Sequence, residues 1–241
     1  MSDHFWRDNV IQPALNNDVD EAVAELQALL THRPIDRSIY ISIAQVYLQA
    51  KRFEAAEQSI QKALDLSPNP EDQEFALFVQ GSIYERQKKY DQAEETFKKV
   101  LSVDPLNASA SNYLGYMLAD RGVRLEESVK YIQKALELEP DNGAYLDSLG
   151  WAYFKMGRYD LAETPLEKAA SKIQNDPTIH EHLGNLYLRM GKTAMAQEEW
   201  QRALKEWPEA VSSDFDADQA KQLQKQLDDL KSRSGHGKSS D

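Results

Sequence analysis

Residues 149–170, LGWAYFKMGRYDLAETPLEKAA, and residues 183–208, LGNLYLRMGKTAMAQEEWQRALKEWP, decide the fold. A third stretch, QGSIYERQKKYDQAEETFKKVLSVDP at 80–105, repeats the same order of residue types. Each has a small residue, an aromatic three positions on, an alanine nine further and then a large apolar side chain. The small residues Ala44, Gly81, Gly115, Gly150 and Gly184 are separated by 37, 34, 35 and 34 residues. With only 10 Gly and 9 Pro the chain has little room for many turns, so this period predicts stacked helical hairpins.

Setting the small residue at position 8, positions 4, 7, 8 and 11 form one i, i+3, i+4, i+7 stripe on a first helix. Positions 20, 24 and 27 form a stripe on a second. The fifth register carries Leu146, Leu149, Gly150, Tyr153, Ala162, Leu166 and Ala169, and the sixth His180, Leu183, Gly184, Tyr187, Ala196, Trp200, Ala203 and Pro208. The third and second fit at Gly81, Tyr84, Ala93, Phe97 and Pro105, and at Ala44, Tyr47, Ala56, Ile60 and Pro68. The fourth needs one inserted residue in RGVRLEE before Ser128, Ile132, Ala135 and Pro140. Small residues at 8 and 20 let the helices approach, and proline at 32 ends the second helix.

These residues resemble the tetratricopeptide-repeat (TPR) family over about residues 3–210. The resemblance implies an all-α, right-handed superhelical solenoid of six hairpins plus a C-terminal capping helix. The expected boundaries are a divergent first repeat at 3–36, repeats at 37–73, 74–107, 108–142, 143–176 and 177–210, a capping helix at 214–232 and a disordered tail at 233–241. The first repeat keeps Trp6, Val10, Ala22, Leu26 and Leu29 but has Pro13 where an aromatic belongs. Ala220, Leu223, Leu227 and Leu230 give the capping helix one apolar stripe. Longer junctions are expected at PNPEDQ and IQNDPT, and a helix kink at Pro165.

Composition narrows the partner. The formal net charge of −12 repels nucleic-acid phosphates and anionic membrane surfaces, leaving apolar or basic polypeptides as the better candidates. With Cys 0 there are no disulfides, thiolate nucleophiles or cysteine zinc sites. The sequence as given opens without an export signal, so the expectation is a soluble chain, cytoplasmic as given and periplasmic if an export signal lies upstream.

Signatures of chemistry are lacking. Gly237-Lys238-Ser239 echoes a phosphate loop, but the leading glycine would fall at Ser232 and no strand precedes it. His180 and His182, two apart on a helix, diverge by about 200° and cannot share a metal ion. No catalytic residue, metal or cofactor is expected. Positions 2, 5, 9 and 12 are instead the informative ones, since an amphipathic first helix should be polar there. This chain carries Phe75, Phe78, Tyr116, Trp151 and Phe154 among polar Asn112, Asp147, Glu181 and Asn185.

In the family those positions line a concave peptide-binding groove, so the resemblance implies a non-catalytic scaffold or adaptor gripping a polypeptide through aromatic anchors. The basic clamp by which chaperone co-factors of this family hold a terminal carboxylate is missing from Ile41, Gln45, Phe78, Ser82, Asn112, Tyr116, Asp147 and Trp151. The repeats are similar to C-terminal repeats of bacterial secreted or outer-membrane lipoproteins, some of them protease adaptors. Two alternatives stay open: a regulatory or targeting region of a larger enzyme, and a self-associating module that forms homo-oligomers.

Overall fold

A computed structural model describes residues 19–207 and 217–236. Among them are twelve α-helices and no strand: α1 Val19–Leu30, α2 Arg37–Gln49, α3 Phe53–Asp65, α4 Pro70–Arg86, α5 Tyr90–Val103, α6 Ala108–Asp120, α7 Leu125–Leu138, α8 Gly143–Lys155, α9 Tyr159–Lys172, α10 Pro177–Arg189, α11 Thr193–Glu206 and α12 Ala217–His236. The chain divides into two compact units, residues 1–110 and 111–241. No helix of the described residues is long and apolar enough to cross a membrane.

Each first helix starts and stops for local reasons. Asp36, Asn142 and Asp176 are N-caps whose side chains accept from the backbone N–H groups of Ser38, of Ala144 and Tyr145, and of Thr178. At the other end the N–H of Lys51 bonds to Leu48 O while that of Arg52 bonds to Tyr47 O. The same two bonds recur at Lys88 and Lys89, Gly122 and Val123, Gly157 and Arg158, and Gly191 and Lys192. This is the Schellman stop, which needs a left-handed residue just past the helix. Unit 2 uses Gly157 and Gly191 there, at φ 73° and 74°; unit 1 uses Lys51 and Lys88, at φ 57° and 61°. The inserted residue of the fourth register is absorbed at the turn, where Arg124 takes φ 48° immediately before α7.

Hairpins close where the small residues permit it. A Cβ built on Gly81 would lie 2.8 Å from the Phe97 ring, and one on Gly184 would run into Trp200. Positions 8 and 24 are therefore in direct contact in these hairpins, as they are at Gly115 with Ile132 and Gly150 with Leu166, and a side chain added at any of these glycines must displace a buried neighbour. The second helices are amphipathic, burying Ala56, Ile60 and Ala63 in α3 and Ala196, Trp200 and Ala203 in α11. The first helices are not. Besides the expected stripe they bury positions 3, 6 and 10: Ala76, Val79 and Ile83 on α4, and Ile179, His182 and Leu186 on α10. Within each unit, α4 and α10 are wedged between their own partner helix and the preceding hairpin, so two faces lose water rather than one.

Several expectations are corrected. The junction at PNPEDQ is short, because α4 starts at Pro70; proline suits the first helical position, and Glu71 and Asp72 favour the helix N-terminus. As expected, Pro165 lies inside a second helix, α9, where it is buried and does not end the helix. Leu29 is exposed, while Ala22, Val23 and Leu26 make the contact of α1 with Ile39, Ile43 and Val46 of α2. Trp6, Val10 and Pro13 lie outside the described residues. Helix α12 continues to His236, so 233–236, assigned to a disordered tail, are helical. Leu223 and Leu227 of α12 bury against Trp200, Ala203 and Trp207.

Candidate functional site

The A face of unit 2, formed by the first helices α6, α8 and α10 with α12 following, gathers most of the sequence-predicted residues. Trp151 on α8 is its centre. The indole stacks on Phe154, one turn on, with centroids 4.9 Å apart and planes 7° apart. It also stacks on His182 of α10, at 4.0 Å and 10°. Its N–H donates to Asp120 Oδ1 of α6 at 3.2 Å, and Lys155 Nζ lies 5.0 Å from the ring centroid, within cation–π range. Trp151 is only 9% exposed, so it is a structural member of the face as well as a surface. Phe154 is half-buried, and its ring also tilts against Tyr159 at 5.5 Å.

The polar members are committed in the same way. Asp147 is buried, with both carboxylate oxygens 3.0 and 3.1 Å from His182 Nδ1. Glu181 is half-buried and accepts from Gln219 Nε2 of α12 at 2.7 Å. Burial pushes the Glu181 carboxyl up from the ordinary range; His182 and Gln219 offset part of that, and Asp120 adds to it. His182 is held above the ordinary histidine range: burial opposes the charge, but Asp147, then Glu181 and Asp120, outweigh it. Asn112 is buried with Oδ1 unpartnered, Tyr116 packs with the Trp151 cluster, and Asn185 is half-buried.

Unit 1 carries the other two expected residues on α4. Phe75 is 54% exposed. Phe78 is half-buried, its ring edge-on to Phe97 at 5.9 Å, and so belongs partly to its own hairpin.

Sequence reading missed His182, Asp120 and Lys155. In the sequence His182 stands out only as a candidate metal ligand beside His180. The two rings do diverge: His180 meets Glu199 of α11 and His182 meets Asp147 of α8. The missed signal is a spacing of one repeat, since Asp147 and His182 are 35 residues apart and Asp120 and Trp151 are 31. Lys155 also lines an open cavity of about 380 Å³ with Arg124, Glu126 and Arg158. Chemically, the face offers a largely buried aromatic stack with the half-buried Phe154 at its edge, one cation and several carboxylates beside it. It is suited to contact, and no nucleophile–base pair is assembled on it.

Known proteins show the same architecture. The family model of the cilia and flagella-associated protein 70 C-terminal domain, a TPR domain, matches residues 13–224. The TPR repeat-containing protein PA4667 of Pseudomonas aeruginosa is 34% identical over 168 residues, 69% of this chain and 28% of that protein. The type IV pilus assembly protein PilF of the same organism is 27% identical over 153 residues, 62% of this chain and 59% of its own length. The chain thus spans less than two thirds of either relative's own length. A tetratricopeptide repeat protein from Parabacteroides merdae has the same fold, with a TM-score of 0.70 at 19% identity over 88% of this chain and 78% of that one. With the repeat period, the glycine contacts at positions 8 and 24 and the recurring helix stops, these matches make the chain an all-α helical-repeat solenoid that belongs to the tetratricopeptide-repeat family.

Proposed function

We propose that this protein is a non-catalytic scaffold that binds a polypeptide segment along the A face of its first helices. In unit 2 the anchor is Phe154, backed by the buried Trp151, and Phe75 is a separate candidate anchor in unit 1. One observation carries the reading: an aromatic stack with the half-buried Phe154 at its edge is bordered by the charged side chains of Asp120, Glu181 and Lys155. Flat rings flanked by a few placed polar groups make economical anchors, because large area is presented by side chains already fixed. The carboxylates at the rim and the net charge of −12 favour a segment with apolar and basic side chains. Family membership supports a protein partner. The name of PilF, a pilus assembly protein, supports one that is itself part of a larger assembly.

The test is selection of binders from a displayed peptide library, followed by calorimetric titration of a selected peptide against the wild type and Phe154→Ala and Phe75→Ala. Weaker binding with an unchanged melting temperature supports the A face. Selected peptides that ignore both changes exclude it.

A further inference from the structure

We propose that His180 and His182 form a proton-operated lock that fastens the α10–α11 hairpin within unit 2, closed while the histidine sites hold their protons and released as they lose them. The lock goes beyond peptide binding and would exist with no partner present.

The carrying observation is the kind of atom that surrounds each ring. His180 places Nε2 3.0 Å from the backbone carbonyl of Gln174, which can only accept. It places Nδ1 2.6 Å from Glu199 Oε2 of α11, a carboxylate oxygen. A neutral imidazole has one N–H, so it cannot serve two acceptors. The second proton sits on the ring or on Glu199, and in either case the site holds one proton more than a neutral ring beside a carboxylate. Glu206 adds to this need: its Oε2 is buried without a hydrogen-bond partner and lies 3.6 Å from His180 Nε2. Arg202 is the opposing cation on α11, half-exposed and 3.7 Å from Glu199.

His182 faces the other way. Its Nδ1 meets Asp147 of α8, with Glu181 on its own helix and Asp120 of α6 adding negative charge. The cation on that side is Lys155, which lies over Trp151 and 3.7 Å from Asp120. Gln219 of α12 is neutral and donates to Glu181. Three carboxylates against one lysine leave room for an imidazolium stacked on Trp151. At 3% and 5% exposed, both rings are shut off from water; a neutral His180 loses one of its two acceptors, whereas a neutral His182 keeps its Nδ1–H bond to Asp147 and loses only the charge attraction.

The sign follows from linkage. Burial opposes the charge on both rings, yet the carboxylates hold both above the ordinary value of about 6.5 that the unfolded chain would show. Their contribution is therefore complete below about pH 6.5 and is lost as pH rises through the higher folded midpoints. Because His182 stacks on Trp151, release reaches the A face from within.

The experiment uses the full chain with 13C-labelled histidine, followed by NMR from acid to alkaline pH beside urea unfolding. Both rings should titrate above about 6.5, and each pH unit of excess should reappear as about a tenfold loss of the folding constant at alkaline pH. The double variant His180→Gln/His182→Gln should lose that decline. Where it fails to fold, Asp147→Asn and Glu199→Gln decide the matter, each lowering the midpoint of the facing ring alone. Midpoints at or below the ordinary value, midpoints unmoved by those changes, or a double variant with wild-type pH dependence would overturn the lock.

Discussion

Helix α4 in unit 1 and helix α8 in unit 2 occupy the same place in their hairpins and treat their aromatic residues differently. On α4, Phe75 stands half in solvent while Phe78 leans on Phe97. On α8, Trp151 and Phe154 are stacked, and the next hairpin closes the stack with His182. The helix stops differ too, lysine at the left-handed position in unit 1 and glycine in unit 2. One repeat pattern thus yields a loosely furnished face and a rigid one. An aromatic at a binding position is a free anchor only where the following repeat leaves it uncovered.

Mutations can break this comparison. Trp151→Ala should cost unit 2 about 3 kcal/mol or more in urea unfolding, as a buried ring is removed from its two stacked partners. A cost near zero would mean that the stack is not a packing unit. Gly184→Ala should cost about 1–3 kcal/mol by forcing Trp200 aside, and more than Gly81→Ala, where the built Cβ meets Phe97 at 2.8 Å. Equal costs would remove the difference in closeness between the two hairpins. Lys88→Gly should stabilise unit 1 by up to about 1 kcal/mol through relief of the left-handed backbone, and Gly157→Ala should destabilise unit 2 by a similar amount. Phe75→Ala is the smallest, within about 0.5 kcal/mol, as expected for an exposed side chain away from packed features.

The sequence displayed whatever recurs at the repeat period. The contact of Gly184 with Trp200 was legible because glycine at position 8 and a large residue at position 24 coincide in several registers. The burial of Val79 and Leu186, at positions 6 and 10, was not, because that face is covered by a neighbouring hairpin rather than by the helix partner. The start of α4 at Pro70 was hidden by a PNP string that reads as a junction until proline is allowed at the first helical position. At the candidate site the aromatic residues stood out against an amphipathic background. Their commitments did not: Asp147 to His182 and Trp151 to Asp120 join residues one repeat apart, and no single-helix spacing displays such pairs.

The measurement closest to the central claim is the affinity of one library-selected peptide, by calorimetry, for Phe154→Ala and Phe75→Ala on the A face and for Leu161→Ala and Met195→Ala on the second helices, where both side chains are exposed. The scaffold reading predicts a loss of about tenfold or more from an A-face change, matching a lost aromatic anchor of about 1.4 kcal/mol, with the second-helix variants binding as the wild type does. Unchanged affinity in the A-face pair together with a loss in the second-helix pair would contradict it.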